Sequence, residues 1–155
     1  MKRVFAIEHW CVGCGRCEVA CKVAHSESGS IVSAYRFETP DPHARVRVEG
    51  GRERSVPVNC RHCDDPLCVS ACISGAMTKD PETGVVSCDR EKCVGCLTCV
   101  SFCPYGALSF GPYRNKTVVY KCDICGCGAG ETDRIPECVK SCPNRALVYL
   151  ESEAM

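Results

Sequence analysis

The stretch that decides the fold is Cys93-Val94-Gly95-Cys96-Leu97-Thr98-Cys99-Val100-Ser101-Phe102-Cys103-Pro104. Its cysteines follow the spacing C-x2-C-x2-C-x3-C, and a proline stands after the last of them. Gly95 lets the backbone turn tightly or take a positive φ between the first two cysteines. Pro104 ends the helix that the fourth cysteine begins, because proline cannot continue a helix. The spacing therefore predicts a loop with three thiols and a fourth thiol carried farther along a short helix.

Three thiolates at this spacing can wrap a loop around three corners of a cube of iron and sulfide. The same run holds a [4Fe–4S] cluster in bacterial ferredoxins, where its fourth cysteine ligates a different cluster. Cys103 lies about one helical turn, ~5.4 Å, beyond Cys99, so it can reach a neighbouring cube. The run therefore predicts iron–sulfur ligation with crossover between clusters.

Three further runs are related to this one. The second has two extra residues in its loop and Ile73 in place of the proline, and the fourth has a glycine-rich insertion. In runs two to four an alanine stands four residues after the last cysteine, at Ala76, Ala107 and Ala146, which indicates a duplicated unit. The four runs are Cys11, Cys14, Cys17 and Cys21; Cys60, Cys63, Cys68 and Cys72; Cys93, Cys96, Cys99 and Cys103; and Cys122, Cys125, Cys138 and Cys142.

Two cysteines remain outside the runs. Cys127 stands in the glycine-rich insertion, but Cys138 and Cys142 followed by Pro143 reproduce the third-and-fourth pattern of the other runs. We therefore do not assign Cys127 as a ligand. Cys88 stands five residues before the third run, where a small buried residue would serve.

Crossover requires the runs to pair. Runs two and three adjoin in sequence, which leaves runs one and four to meet although about 100 residues separate them. We predict an α+β fold of two nested modules with short strands and helices: an inner module over 60–110, an outer module over 1–25 and 111–155, and an inserted β-hairpin segment over 26–59. The predicted ligand sets for four [4Fe–4S] clusters are Cys11, Cys14, Cys17 and Cys142; Cys60, Cys63, Cys68 and Cys103; Cys93, Cys96, Cys99 and Cys72; and Cys122, Cys125, Cys138 and Cys21.

Composition supports a fold held by metal. Of 155 residues, 18 are cysteines, and without them the apolar fraction of 45% leaves few side chains for a core. Met1-Lys2-Arg3 is not followed by an apolar segment of signal-peptide type, and no run of about 18 apolar residues exists. We therefore expect a soluble, cytoplasmic protein rather than a secreted disulfide scaffold.

The formal charge also limits the functions open to this chain. It is zero before cluster binding, with no basic stripe of the kind that binds nucleic acid. Each oxidised cluster with four thiolates would add a charge of about −2.

Residue patterns outside the runs predict short elements. We expect strands over 4–10, 85–86, 117–120 and 147–150, a helix over 17–25, and a loop from Pro112 to Lys116. The segments 35–38 and 44–49 alternate apolar and polar residues and precede Gly50-Gly51, which favours a β-hairpin. Arg45, Arg47, Arg52 and Arg54 read as its solvated face, with docking of an acidic partner as the alternative. His25 reads as a polar residue at a helix end rather than as a ligand.

The motifs quoted so far resemble those of the four-cluster ferredoxin-like electron-transfer subunits of multi-subunit oxidoreductases. The resemblance covers nearly the whole chain and the nested pairing. It is carried most closely by Cys60-Arg61-His62-Cys63-Asp64-Asp65-Pro66-Leu67-Cys68 and Lys121-Cys122-Asp123-Ile124-Cys125. Ala24-His25-Ser26-Glu27-Ser28 and Arg45-Val46-Arg47-Val48-Glu49 are most similar to the small subunits serving CO dehydrogenases and tungsten-dependent aldehyde oxidoreductases. Formate dehydrogenase and hydrogenase complexes use close relatives.

This resemblance implies an electron-transfer subunit rather than an enzyme. Its partners would be a catalytic oxidoreductase subunit, of the tungsto- or molybdopterin or CO dehydrogenase type, and a ferredoxin, flavoprotein or further redox subunit. A diffusible polyferredoxin is the main alternative. A zinc-binding interaction module is the other, although a run of x2-x2-x3 ending in proline is not a zinc spacing.

Overall fold

The computed structural model describes residues 1–51, 53–126 and 134–151. Short strands and short helices alternate along this chain, as predicted for an α+β fold. The strands are β1 Lys2–Ala6, β2 Val46–Gly50, β3 Ser55–Asn59, β4 Met77–Lys79, β5 Val86–Cys88, β6 Ser109–Tyr113, β7 Lys116–Tyr120 and β8 Leu147–Glu151. The helices are α1 Arg16–Ala24, α2 Ile31–Arg36, α3 Leu67–Ser70, α4 Thr98–Ser101 and α5 Glu137–Lys140, with 3₁₀ turns at Glu8–Trp10 and Ile124–Gly126.

The first and last strands pair with each other. β1 and β8 are antiparallel, with Lys2 opposite Glu151 and Ala6 opposite Leu147. The pairing continues past β1, because the amide of Ile7 donates to the carbonyl oxygen of Ala146 at 2.8 Å. This small sheet brings the first cysteine run next to the fourth.

The other six strands form three antiparallel pairs: β2 with β3, β4 with β5, and β6 with β7. The expectation of a loop from Pro112 to Lys116 is wrong. β6 extends to Tyr113, and only Arg114 and Asn115 separate it from β7. Pro112 is tolerated because a two-stranded sheet leaves one edge of each strand without a partner.

The expectation of an extended segment over 35–38 is also wrong. Ile31–Arg36 forms helix α2, whose first bond joins the amide of Ala34 to the carbonyl oxygen of Ser30 at 2.8 Å. Ala34 is fully buried, and Lys22 of α1 lies over the Tyr35 ring, 4.8 Å from its centroid. Packing against α1 therefore outweighs a four-residue alternation that was too short to specify a strand.

Two hydrophobic clusters hold these elements together, and cysteines belong to both. One contains Met77, Val86, Leu108, Val118, Val119 and Tyr120 with Cys93 and Cys99, and the other contains Val4, Val46 and Leu147 with Cys17, Cys21 and Cys138. The repeated alanines Ala76, Ala107 and Ala146 are all buried. In the part of the chain that the structure describes, no helix has the length and apolar character needed to cross a membrane.

Candidate functional site

Each cysteine run begins with a loop in which the backbone takes a left-handed conformation. In the third run this falls on Gly95, as the sequence predicted, with φ of 70°. In the second and fourth runs it falls on His62 and Ile124, which are not glycines and accept some strain. Their amides donate to the preceding cysteines, His62 N to Cys60 Sγ and Ile124 N to Cys122 Sγ, both at 3.4 Å. The left-handed turn thus points backbone donors at sulfur.

The fourth cysteines of runs two to four share a second motif. Each follows a four-residue helix, and an amide near the repeated alanine donates to its sulfur. The bonds are Met77 N to Cys72 Sγ at 3.4 Å, Ala107 N to Cys103 Sγ at 3.5 Å and Ala146 N to Cys142 Sγ at 3.2 Å. The alanine repeat seen in the sequence therefore serves close approach of backbone amides to these sulfurs.

The first run departs from this pattern. Helix α1 continues through Cys21 to Ala24, so the chain does not turn back after the fourth cysteine. Cys21 Sγ instead accepts a bond from the amide of Arg45 at 3.2 Å. A distant segment thus supplies the donor that the neighbouring turn supplies elsewhere.

Thiols of the first and fourth runs lie close together. Burial raises the pKa of Cys17 to about 11, and the charges of Cys14 and Cys142 raise it further. Burial likewise raises the pKa of Cys138, with added effects from Cys122, Cys125 and Cys21. The structure therefore brings Cys142 to the first run and Cys21 to the fourth.

Thiols of the second and third runs also exchange their last members. Burial raises the pKa of Cys63 and Cys68, and both feel the charges of Cys60 and Cys103. Burial raises the pKa of Cys99 to about 11, with Cys72 the largest neighbouring charge. These are the groups that the cysteine spacing predicts, and their assignment as ligand sets remains a prediction.

Three closer approaches connect the groups. Cys138 of the fourth run feels the charge of Cys17, Cys122 feels that of Cys60, and Cys99 feels that of Cys68. The groups therefore follow one another in the order first run, fourth run, second run, third run. The exposed thiols Cys14 and Cys96 belong to the two groups at the ends of this series.

A buried polar network lies beside Cys21. Arg45 Nη1 is ion-paired with Asp123 Oδ2, and His25 Nε2 donates to Asp123 Oδ1 at 3.0 Å. His25 lies at the end of α1, as predicted, and its Nδ1 donates to the carbonyl oxygen of Cys21 at 2.7 Å. Burial opposes charge on His25, but these acceptors raise its pKa to about 9. Burial would also favour a neutral Asp123, yet bonds from His25 and Arg45 lower its pKa.

The prediction that the four arginines form a solvated face is therefore wrong for Arg45, whose side chain is only 12% exposed. Its pairing with Asp123 of the fourth run could not be read from strand alternation. Arg47 and Arg54 are on the surface, and Arg47 Nη2 donates to the carbonyl oxygen of Gly106 at 2.6 Å. Arg52 and Cys127 lie outside the described residues.

A second pair of buried polar residues is not indicated by any sequence motif. His62 is 1% exposed, and its Nδ1 accepts a bond from the amide of Val86 at 3.1 Å. Burial lowers the pKa of His62 to about 3, and the charges of Lys121 and Arg3 contribute. Lys121 is 4% exposed, and its Nζ donates to the carbonyl oxygens of Val86 and Cys122. Nothing in the sequence distinguishes Lys121 from Lys92, which precedes the third run in the same way.

The residues present fit a group that offers sulfur acceptors. Among the described residues, three buried donors have no hydrogen-bond partner: Arg3 Nε, Arg45 Nε and His62 Nε2. Buried N–H groups normally have an acceptor, and the sulfurs of iron–sulfur clusters accept such bonds. Grouped thiols together with unpartnered donors are what a [4Fe–4S] cluster requires. Within the described ranges, no group of three Cys, His, Asp or Glu side chains is arranged to hold a single metal ion.

Comparison with known protein families supports this fit. Residues 53–152 match the family model of the 4Fe-4S dicluster domain, and residues 8–24 match that of a 4Fe-4S binding domain. The chain belongs to the 4Fe-4S dicluster domain family. Iron–sulfur binding of the 4Fe–4S type, a ferredoxin-like domain and a role in electron transport are thereby confirmed.

Curated relatives of this dicluster protein are iron–sulfur and electron-transport proteins. An iron-sulfur protein of Rhodospirillum rubrum is 33% identical, over 97% of this chain and 83% of its own. Electron transport protein HydN of Escherichia coli (strain K12) is 34% identical, over 91% and 83%. A subunit of the sulfite dehydrogenase of Allochromatium vinosum is 34% identical, over 90% and 64%. The chain spans only 22% and 20% of two longer relatives.

Proposed function

We propose that this dicluster-family protein is a non-catalytic electron-transfer subunit that carries four [4Fe–4S] clusters. When bound, each cluster accepts and releases electrons, while the protein spaces the clusters, excludes water and donates hydrogen bonds to sulfur. The proposed ligand sets are Cys11, Cys14, Cys17 and Cys142; Cys122, Cys125, Cys138 and Cys21; Cys60, Cys63, Cys68 and Cys103; and Cys93, Cys96, Cys99 and Cys72.

The nested arrangement of modules belongs to the same proposal. We take 60–110 as the inner module, 1–25 with 111–155 as the outer module, and 26–59 as the inserted segment. Pairing of β1 with β8 supports the outer module, because it joins the two halves of that module. The exchange of Cys72 and Cys103 between runs two and three supports the inner one.

One observation carries the electron-transfer proposal: the thiol groups form a single series. The approach of Cys122 to Cys60 is the link that joins the outer pair of clusters to the inner pair. Electrons would enter near one exposed end thiol, Cys14 or Cys96, and leave near the other. A series of four clusters with two exposed ends suits a relay between two bound partners.

We propose that one end meets a catalytic oxidoreductase subunit and the other a ferredoxin, flavoprotein or further redox subunit. That one relative is a sulfite dehydrogenase subunit supports a subunit role. The catalytic partner would be of the CO dehydrogenase, aldehyde oxidoreductase or formate dehydrogenase type that the sequence motifs resemble. Affinity purification from the native host should recover such a subunit in stoichiometric amount. Recovery of the chain alone at every salt concentration would favour the diffusible polyferredoxin instead.

Cluster number and ligand exchange are tested on protein made without oxygen. We expect about 16 iron and 16 sulfide per chain, from four cubes. Cys142→Ser should lose the same cluster, by electron paramagnetic resonance, as Cys14→Ser. If Cys142 serves its own run, Cys142→Ser will instead resemble Cys125→Ser, and the proposed ligand sets are then wrong.

A further inference from the structure

Lys121 is a buried cation whose charge no side chain of the described residues balances. Its Nζ donates to the carbonyl oxygen of Val86 and, at 2.6 Å, to that of Cys122. No carboxylate within the described ranges forms an ion pair with it, since the nearby Asp123 is engaged by Arg45 and His25. Burying an unpaired ammonium is unfavourable. The charge is therefore best explained by an anionic group that binds next to it.

Lys121 lies between two of the proposed clusters. Burial raises the pKa of both Cys122 and Cys68, and the positive charge of Lys121 counteracts that rise in each. Cys122 belongs to the fourth run and Cys68 to the second. These two groups occupy the middle of the series, where Cys122 approaches Cys60. One ammonium thus acts on both middle sites.

His62 adds a neutral donor at the same place. Its Nδ1 accepts the Val86 amide, so the ring proton resides on Nε2. That Nε2–H is buried and has no partner among the described residues. His62 stands inside the loop of the second run, between Cys60 and Cys63, so a sulfur of that cluster is the natural acceptor. The lysine and the histidine share Val86 as a backbone partner, which fixes them side by side.

The two end groups have a different environment. In the first run, Glu18 is a negative charge that raises the pKa of Cys17 after burial. The side chains that donate to sulfur at the end groups are hydroxyls, Ser55 Oγ to Cys11 Sγ at 3.5 Å and Thr98 Oγ1 to Cys96 Sγ at 3.4 Å. Neutral hydroxyls and a carboxylate stabilise added negative charge less than a buried ammonium does.

We propose that Lys121, with the Nε2–H of His62, makes the two middle clusters easier to reduce than the two end clusters. The inference rests on the ligand sets of the proposed function. An electron arriving at either end would then settle in the middle of the series before it leaves. The middle pair would act as a reservoir between the two partners rather than as a uniform wire.

The test is an anaerobic redox titration of the full chain, followed by electron paramagnetic resonance. Cys63→Ser and Cys125→Ser identify the signals of the two middle clusters. In Lys121→Met both middle clusters should become at least tenfold harder to reduce at a given potential, a downward shift of about 59 mV for one electron. Lys121→Arg, which keeps the charge, should retain most of the wild-type potentials.

Lys92→Met is the matched control. Lys92 precedes Cys93 as Lys121 precedes Cys122, but its side chain is 67% exposed. Solvent screens such a charge, so its loss should leave all four potentials close to those of the wild type. His62→Asn removes the ring donor with a residue that tolerates a left-handed backbone. It should lower the potential of the second-run cluster alone.

Two results would overturn the proposal while about 16 iron remain bound. One is a Lys121→Met variant whose middle potentials are unchanged or shift no more than those of the end clusters. The other needs no variant of Lys121: a wild-type protein in which the end clusters are reduced first. If Lys121→Met does not assemble, Lys121→Gln and the wild-type order decide the question. Failure of the ligand sets themselves would show separately, in the iron content and in Cys142→Ser.

Discussion

Replacing Gly95 by alanine tests whether the loop of the third run requires the close approach seen in the structure. A Cβ at this position would lie 2.4 Å from the carbonyl oxygen of Thr117, with φ at +70°. That oxygen belongs to β7, which is held by its pairing with β6, so it cannot withdraw without moving a strand. Gly29 provides a matched control, because its φ is +62° but nothing lies within 4 Å of its would-be Cβ.

The two substitutions share one energetic penalty and differ in the other. Forcing alanine into a left-handed conformation costs about 1–2 kcal/mol at either site. Overpacking against a fixed strand adds about 1–3 kcal/mol at Gly95 only. A difference of that size corresponds to roughly a 5- to 160-fold change in rate if the strain is released on unfolding.

The assay is the rate of iron release in denaturant without oxygen, followed by the loss of cluster absorbance. A rate suits this protein, because cluster loss makes unfolding irreversible. Gly95→Ala should release iron at least about fivefold faster than Gly29→Ala. Equal rates for the two variants would show that the third loop does not depend on contact with β7.

Three further predictions concern ligands, cofactor removal and the buried ion pair. Cys88→Ser and Cys127→Ser should each retain about 16 iron per chain, and loss of a cluster in either would mean that a ligand is misassigned. Chelation of iron should abolish most circular dichroism from helices and strands, since metal binding supplies folding free energy here; a cooperative melt of the iron-free chain would contradict this. Arg45→Met should destabilise the protein by about 2–3 kcal/mol, less than the full value for a buried pair because Asp123 is 34% exposed. The surface variant Arg54→Met should change stability by less than about 0.5 kcal/mol, and an equal effect of the two would refute a structural role for the pair.

Spacing of cysteines carried most of what could be predicted from this sequence. A run such as Cys93 to Pro104 specifies local backbone geometry, so its loop and following helix could be read without knowing the rest of the fold. The alanines at 76, 107 and 146 are likewise local, since each amide reaches a sulfur four or five residues away or marks the turn that does so. Repetition of one local unit makes such inference possible.

The features that were missed depend on distant contacts. Helix α2 forms because Ala34 and Tyr35 pack beside α1, and no signal within 35–38 indicates that. Arg45 is buried because Asp123, far along the chain, lies opposite it. Lys121 and Lys92 occupy equivalent positions in their runs, and only the surrounding fold buries one and exposes the other. Residue identity gave no indication of these differences.

The pairing of β1 with β8 sets an order for biosynthesis. Strand β1 leaves the ribosome first, yet its partner β8 lies about 140 residues later. At a typical 5–20 residues per second, β1 waits roughly 7–28 s for that partner. Hairpins β4–β5 and β6–β7 have their partners within a few residues and can close during that interval. The cell must therefore keep an unpaired first strand and its neighbouring thiols protected until the last strand emerges.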